Sequence, residues 1–310
     1  LRGINVRLVA GTRGSKLALI QTNEVVRNLM QVVEDIEVSR AIIKTSGDKM
    51  SEQSIPSISG EGTFEKEINT AVDKGEVDFA VHSMKDLPID YNTNLMIAAV
   101  SNRESPYDAL VSNYGYNITE IPSEAIVGIG SLRREAQLRY LRPDLGIKPI
   151  RGNIDTRIRK LEEGFFDAII LAEAGLNRLN IKNKTKRLPP KDFPAAPGQG
   201  AIAITIKRDR EDLRKIFNQI NNSKSNAEIT AERTFLSQIG RGCKVPVGAL
   251  AVSKRDNLSM YAMLFSSDGQ HRVQSTFHGG LNNPEEVGKN AAKELTKEAE
   301  KVTKMVKHIE

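Results

Sequence analysis

Three short segments of the chain carry arginine where arginine is unexpected. They are Gly11-Thr12-Arg13-Gly14-Ser15-Lys16-Leu17, Gly130-Ser131-Leu132-Arg133-Arg134 and Arg151-Gly152-Asn153-Ile154-Asp155-Thr156-Arg157. Each lies between a strand-like apolar run and a stretch of helical periodicity. A helix N-terminus already carries partial positive charge and unpaired N–H groups, so a cation there is disfavoured unless an anion lies nearby. Taken singly, each arginine is satisfied by a neighbouring carboxylate or by water. Three junctions with the same feature point instead to a bound anion. None ends in the Gly-Lys-Ser/Thr of a phosphate-binding loop. The guanidinium fork suits carboxylates as well as phosphates.

Two further segments could do chemistry. In Val81-His82-Ser83-Met84-Lys85-Asp86-Leu87-Pro88 a Lys-Asp pair ends a buried strand and is stopped by proline. Asp86 there could handle protons or stabilise a developing cation, with Lys85 binding an anion. A turn aspartate beside a solvated lysine is the competing reading, and the spacing does not decide between them. His82 reads as packed within its strand. The chain's one cysteine, Cys243, sits in Gly240-Arg241-Gly242-Cys243-Lys244-Val245-Pro246. Its basic neighbours favour the thiolate, whereas lone cysteines are commonly inert small hydrophobes. A cysteine-protease reading lacks a placed His and Asn/Asp.

These segments must be held by regular elements. Apolar runs at Val6–Ala10, Ala41–Ile43, Asp78–His82, Leu95–Val100, Ala125–Ile129, Asp167–Leu171 and Ala201–Ile206 read as strands. They alternate with helical stretches at Ser15–Leu29, Glu65–Val72, up to Leu141, Asp155–Glu163 and after Leu171. This is the grammar of an α/β fold, whose ligand crevice lies at the carboxyl ends of its strands. After about Ser223 the pattern changes to helix, strands flanking Ser267-Asp268-Gly269-Gln270, and an amphipathic helix from Pro284. Asp-Gly is a hairpin signal, and this part reads as α+β. Length alone suggests about two domains; the pattern suggests three.

Composition narrows the functions. The chain has 310 residues, 45 Lys plus Arg against 39 Asp plus Glu, hence a net charge of +6. Aromatics are 5% and tryptophan is absent, which argues against base-stacking nucleic-acid recognition. No run reaches the roughly 18 apolar residues of a membrane span, and no secretory leader is legible, so a cytoplasmic protein is expected. One cysteine and four histidines leave no disulfide and no expected metal site.

Taken together the motifs resemble the porphobilinogen deaminase family, nearly end to end. The resemblance rests on Thr12-Arg13-Gly14-Ser15-Lys16-Leu17-Ala18, on the Val81 to Pro88, Gly130 to Arg134 and Arg151 to Arg157 segments, and on Ala174-Gly175-Leu176-Asn177-Arg178-Leu179, Gly198-Gln199-Gly200-Ala201 and Gly242-Cys243-Lys244-Val245-Pro246-Val247-Gly248. It implies a transferase that joins four porphobilinogen molecules into linear hydroxymethylbilane with release of ammonia. It also implies a dipyrromethane cofactor held through a thioether to Cys243. Asp86 would be catalytic, facing the pyrrole N–H and stabilising the cationic methylene-pyrrole left when ammonia departs. Ser83, Lys85, Asp86, Ser131, Arg133, Arg134, Arg151, Gly175, Gln199 and Gly200 would bind the cofactor. Arg13, Ser15, Arg151, Arg157 and Arg178 would bind the substrate's acetate and propionate groups. The fold implied is two lobes like those of periplasmic binding proteins, with a hinge near Ala99–Arg103 and Phe193–Gly198, plus a C-terminal α+β domain with a small antiparallel sheet. The expected domains are 1–100 with 198–219, 101–197 and 220–310, in a monomer. Two departures stand out: Glu61 replaces a lysine common in the family, and Ile129-Gly130 precede Ser131 where many relatives have hydroxyl residues. A two-lobed binding protein for a small polycarboxylate, without catalysis, is the alternative.

Overall fold

The computed structural model describes residues 6–45, 65–89, 92–182, 184–239, 246–266 and 268–302. Cys243 and Glu61 lie outside the described residues. In chain order the elements begin β1 (Val6–Thr12), α1 (Lys16–Val32), β2 (Ile36–Ile42), α2 (Lys66–Asp73), β3 (Phe79–Ser83), β4 (Leu95–Val100) and β5 (Asp108–Ser112). Then come β6 (Ile126–Ile129), α3 (Leu132–Leu141), β7 (Gly146–Pro149), α4 (Ile154–Glu162), β8 (Ala168–Ala172), α5 (Glu173–Arg178) and β9 (Thr185–Arg187). The chain continues with β10 (Ile202–Lys207), α6 (Glu211–Asn218), α7 (Ser223–Ile239), β11 (Val247–Lys254), β12 (Asn257–Phe265), β13 (Arg272–Gly280) and α8 (Pro284–Lys301).

Residues 1–104 with 200–226 form one compact unit, and 105–199 with 227–310 a second. The first holds a five-stranded sheet of order β2-β1-β3-β10-β4, in which β1 is parallel to β2 and β3 while β10 runs antiparallel to β3 and β4. Its core joins Leu8 and Ala10 of β1, Val25 and Leu29 of α1, Phe79 and Val81 of β3, and Leu213 and Phe217 of α6. The Phe79 and Phe217 rings meet edge to face at 4.7 Å. β2 begins at Ile36, earlier than its apolar run suggests, because Ile36-Glu37-Val38-Ser39-Arg40 is a one-sided edge strand with only alternate residues turned inward.

The second unit contains a mixed sheet of order β7-β6-β8-β5-β9, with β6 parallel to β7 and β8, and β5 antiparallel to β8 and β9. The two mixed sheets therefore share one plan. In each, the second strand of the parallel set lies outside the first, the third lies on the first's other side, and an antiparallel strand follows it. That is the two-lobed architecture expected. The unit also holds the antiparallel meander β11-β12-β13. Phe235 and Ile239 of α7 and Val287, Ala291 and Leu295 of α8 cover it, forming a core separate from those of the mixed sheet. Gly288 permits the close helix crossing, since a Cβ there would stand 2.5 Å from the Ala231 carbonyl.

The apolar runs predict most strands, but β5, β9 and α6 come from segments with weak periodicity.

Candidate active site

In the first unit the chain leaves β1 for β2 on one side and returns as β3 on the other, so the topological switch point lies between β1 and β3. Ala10 pairs with Phe79 and Gly11 with Ala80, which brings the carboxyl ends of both strands to one edge. The first edge residues are Arg13, half-buried, and Ser15, whose Oγ accepts the Ala18 N–H at 3.4 Å and caps α1. Beneath them Thr12 is fully buried, accepting a 2.8 Å bond from the Thr22 hydroxyl. Ser83 ends β3 and is tied to α1 through buried Gln21, whose amide nitrogen and oxygen lie 3.0 and 3.2 Å from Ser83 Oγ.

A single tight helical turn, Met84–Asp86, follows. Met84 and Leu87 are buried, and the Met84 N–H donates to the Ala201 carbonyl at 3.0 Å. Between these two anchors Lys85 is half-buried and Asp86 is exposed. The turn is fixed by its apolar residues while Asp86 is exposed at the sheet edge. Gly200 reaches the same edge, because Ile202 pairs with Ser83. Gly200 is buried with φ of +94°, a conformation that favours glycine. His82 is not at the edge. Its Nε2 is 3.2 Å from Thr205 Oγ1, which in turn donates to Asn69 Oδ1 at 3.3 Å, and burial lowers its pKa to about 4.

The second unit repeats the switch point between β6 and β8. Ser131 caps α3, its Oγ accepting the Arg134 N–H at 3.3 Å. Antiparallel pairing of Asp108 with Ala172 carries the first residue of β5 to the carboxyl end of β8, beside the start of α3. There Asp108, with no exposed surface, receives both arginines of the helix start. Arg133 Nη2 lies 2.8 Å from Oδ2, and Arg134 Nη2 and Nε lie 2.7 and 3.1 Å from Oδ1. Arg133 Nη1 also donates to Gln137 Oε1 and the Pro194 carbonyl, and Arg134 Nη1 to the Ile170 carbonyl. Gln199 Nε2 joins the cluster, donating to Asp108 Oδ1 at 3.0 Å and to the Pro106 carbonyl at 2.8 Å. Both arginines are buried. Burial pulls the Arg133 pKa below its usual value; Asp108 opposes that fall and Arg134 adds to it.

The remaining residues of this set spread along the same edge. Arg151 is exposed just beyond β7, and Arg157, in the first turns of α4, donates from Nε to the Gly152 carbonyl at 2.8 Å. Gly175 is buried in α5, which starts at the end of β8, and Arg178 ends that helix half-buried. The structure thus brings Arg133, Arg134 and Gln199 together on one carboxylate. That carboxylate, Asp108, is the residue sequence reasoning missed; the available signal was a lone acid opening the short apolar run Asp108-Ala109-Leu110-Val111.

The cluster is also tied to the third sheet within the same unit. The Pro194 carbonyl accepts from both Arg133 and Gln137, and Ala249 of β11 donates to the Ala195 carbonyl at 2.9 Å. Glu232, fully buried on α7, accepts the Gly198 N–H at 2.7 Å and the Ala251 N–H at 2.8 Å. Among the described residues no group of three or more His, Cys, Asp or Glu could hold a metal, and no helix is long and apolar enough to cross a membrane.

Comparison with known proteins agrees along most of the chain. Residues 8–215 match the family model described as porphobilinogen deaminase, dipyromethane cofactor binding domain, and residues 226–297 match the model of the C-terminal domain of porphobilinogen deaminase. A probable porphobilinogen deaminase of Hyperthermus butylicus is 43% identical over 94% of this chain and 96% of its own length. The porphobilinogen deaminase of Natranaerobius thermophilus is 41% identical, covering 94% of this chain and 95% of its own. Among solved structures, a probable amino-acid ABC transporter extracellular-binding protein of Bacillus subtilis is 10% identical, with a TM-score of 0.43 over 69% of this chain and 89% of its own. With both family models matched in order, the chain belongs to the porphobilinogen deaminase family.

Proposed function

We propose that Asp86 is the catalytic carboxylate of this chain's reaction and that the arginines of the two sheet edges hold the carboxylates of its pyrroles. The reaction is the family's: four porphobilinogen molecules are joined head to tail into hydroxymethylbilane, with release of ammonia. The observation that carries the assignment is the pinned turn after β3, which presents Asp86 at a topological switch point, on the sheet edge that also carries Lys85, Ser83 and Ser15. Asp86 stabilises the positive methylene-pyrrole formed from substrate as ammonia leaves, and it accepts a hydrogen bond from the pyrrole N–H. Arg13 and Ser15 hold substrate acetate and propionate groups, while Ser83 and Lys85 bind the cofactor next to Asp86.

The second unit supports the binding of a polycarboxylate. Two buried guanidiniums share one carboxylate at a helix start, a local surplus of positive charge that a ligand carboxylate would balance. The dipyrromethane, once attached, supplies the primer on which the chain grows and remains when product leaves. We assign its attachment to Cys243, with Ser131, Arg133, Arg134, Arg151, Gly175, Gln199 and Gly200 as binding residues, and Arg151, Arg157 and Arg178 as contacts to the growing chain. The separate cores of the mixed sheet and the meander in the second unit support a division into three domains, 1–100 with 198–219, 101–197 and 220–310. The protein acts as a cytoplasmic monomer.

Intact-protein mass tests this. The purified chain should exceed its sequence mass by one dipyrrole, Cys243→Ser should not, and added porphobilinogen should produce species heavier by successive pyrroles. An active chain with unmodified Cys243 would overturn the cofactor assignment.

A further inference from the structure

Gly130 stands at the carboxyl end of β6, immediately before Ser131, and its φ is not in the left-handed region. Any residue could adopt its backbone, so conformation does not call for glycine here. Space does. A Cβ at position 130 would lie 2.9 Å from Arg157 Nη1, 3.4 Å from its Cζ and 3.0 Å from the Ile150 carbonyl oxygen. The Arg157 side chain leaves α4, fixes Nε on the Gly152 carbonyl at 2.8 Å, and lays its guanidinium against bare backbone at residue 130. It thereby spans from the end of β7 to the end of β6, at the residue that precedes Ser131 in sequence.

We infer that Gly130 is a positioning residue whose missing side chain sets where the Arg157 guanidinium meets a pyrrole carboxylate. The inference rests on the reading of Arg157 as a carboxylate-binding residue. A methyl group at 130 pushes the guanidinium outward, and because that group is the end of a flexible side chain it yields before the backbone does. The shift spoils a directional, charge-assisted hydrogen bond without removing the charge.

A double-mutant cycle on the holoenzyme separates the possibilities. Gly130→Ala is expected to raise KM for porphobilinogen roughly tenfold, the cost of degrading one charge-assisted hydrogen bond, with kcat within about twofold. Arg157→Lys, which keeps the charge but loses the fork, should raise KM by at least as much. In the Arg157→Lys background, Gly130→Ala should add nothing, since the residue through which it acts has already lost its geometry. Strain against the Ile150 carbonyl does not depend on residue 157, so an additive cycle would mean that Gly130 is merely structural and would overturn the inference. An unchanged KM in Gly130→Ala with a raised KM in Arg157→Lys also overturns it, while leaving the role of Arg157 intact. An unchanged KM in Arg157→Lys overturns both.

Discussion

The two mixed sheets share a strand order and put charge at the same topological point, yet they treat that charge in opposite ways. At the end of β3 the charged pair Lys85-Asp86 sits on a turn pinned by buried Met84 and Leu87, and Asp86 itself is exposed. At the end of β6 the charged pair Arg133-Arg134 is buried and locked on Asp108, Gln137 and two backbone carbonyls, with Gln199 donating to the same Asp108 carboxylate. A group that handles a transient cation must reach substrate and change partners, so its fixed part is the backbone beneath it. A group that recognises a carboxylate gains from being held still, and the rigidity is supplied by side chains around it. On the proposed reading, one topology therefore supports a chemical edge at β3 and a binding edge at β6.

Substitution can break that contrast. The largest effect is expected for Asp86→Asn, which removes charge from the reacting centre and should lower kcat at least a hundredfold. Because Asp86 is exposed, unfolding free energy should stay within about 0.5 kcal/mol. Turnover within tenfold of the parent would remove Asp86 from the mechanism. Asp108→Asn should behave in reverse, costing stability first. It leaves two buried guanidiniums without their shared anion, a change worth about 3–5 kcal/mol in denaturant unfolding. If it unfolds no more easily than Asp86→Asn, the binding edge is not held as described.

A third test uses pH. Burial holds His82 at about 4, below its unfolded value near 6.5, so between those values the unfolded chain binds more protons than the folded one. Stability is then whole above pH 6.5, declines as pH falls toward 4 by on the order of 3 kcal/mol, and levels off below. His82→Gln should flatten that slope in unfolding curves taken across the window. The smallest effect is expected at the exposed Arg139–Glu135 pair on α3. Breaking it with Arg139→Ala should cost about 0.3–0.5 kcal/mol, and a much larger loss would show that α3 depends on more than its buried arginines.

The sequence makes the chemical edge largely legible, because its parts are contiguous: an apolar strand, two charges and a proline stop. The arginine pair at α3 is legible too, since arginine at a helix start is anomalous. Its partner is not. Asp108 lies in a different strand, and only the antiparallel register of β5 on β8 brings it to the helix start. Gln21 and Glu232 are hidden for the same reason, each being a polar residue on a helix whose partner is set by tertiary packing. Gly130 reads in sequence as the loss of a hydroxyl; the structure shows its space filled by the guanidinium of Arg157.

The placement of β10 has a consequence for how the chain is made. This strand lies between β3 and β4, yet it emerges from the ribosome about a hundred residues after β4. Until residues 202–207 are available, β3 and β4 have no common neighbour, and the first sheet cannot close even though most of its sequence has been synthesised. The segment bearing Asp86 therefore waits on the completion of 105–199. Such long-range closure is slow, and it leaves apolar strand edges open during synthesis. A nascent chain in which Ile202 has not yet left the ribosome should be cut by protease within 65–104, whereas one in which residues through Asn218 have emerged should resist.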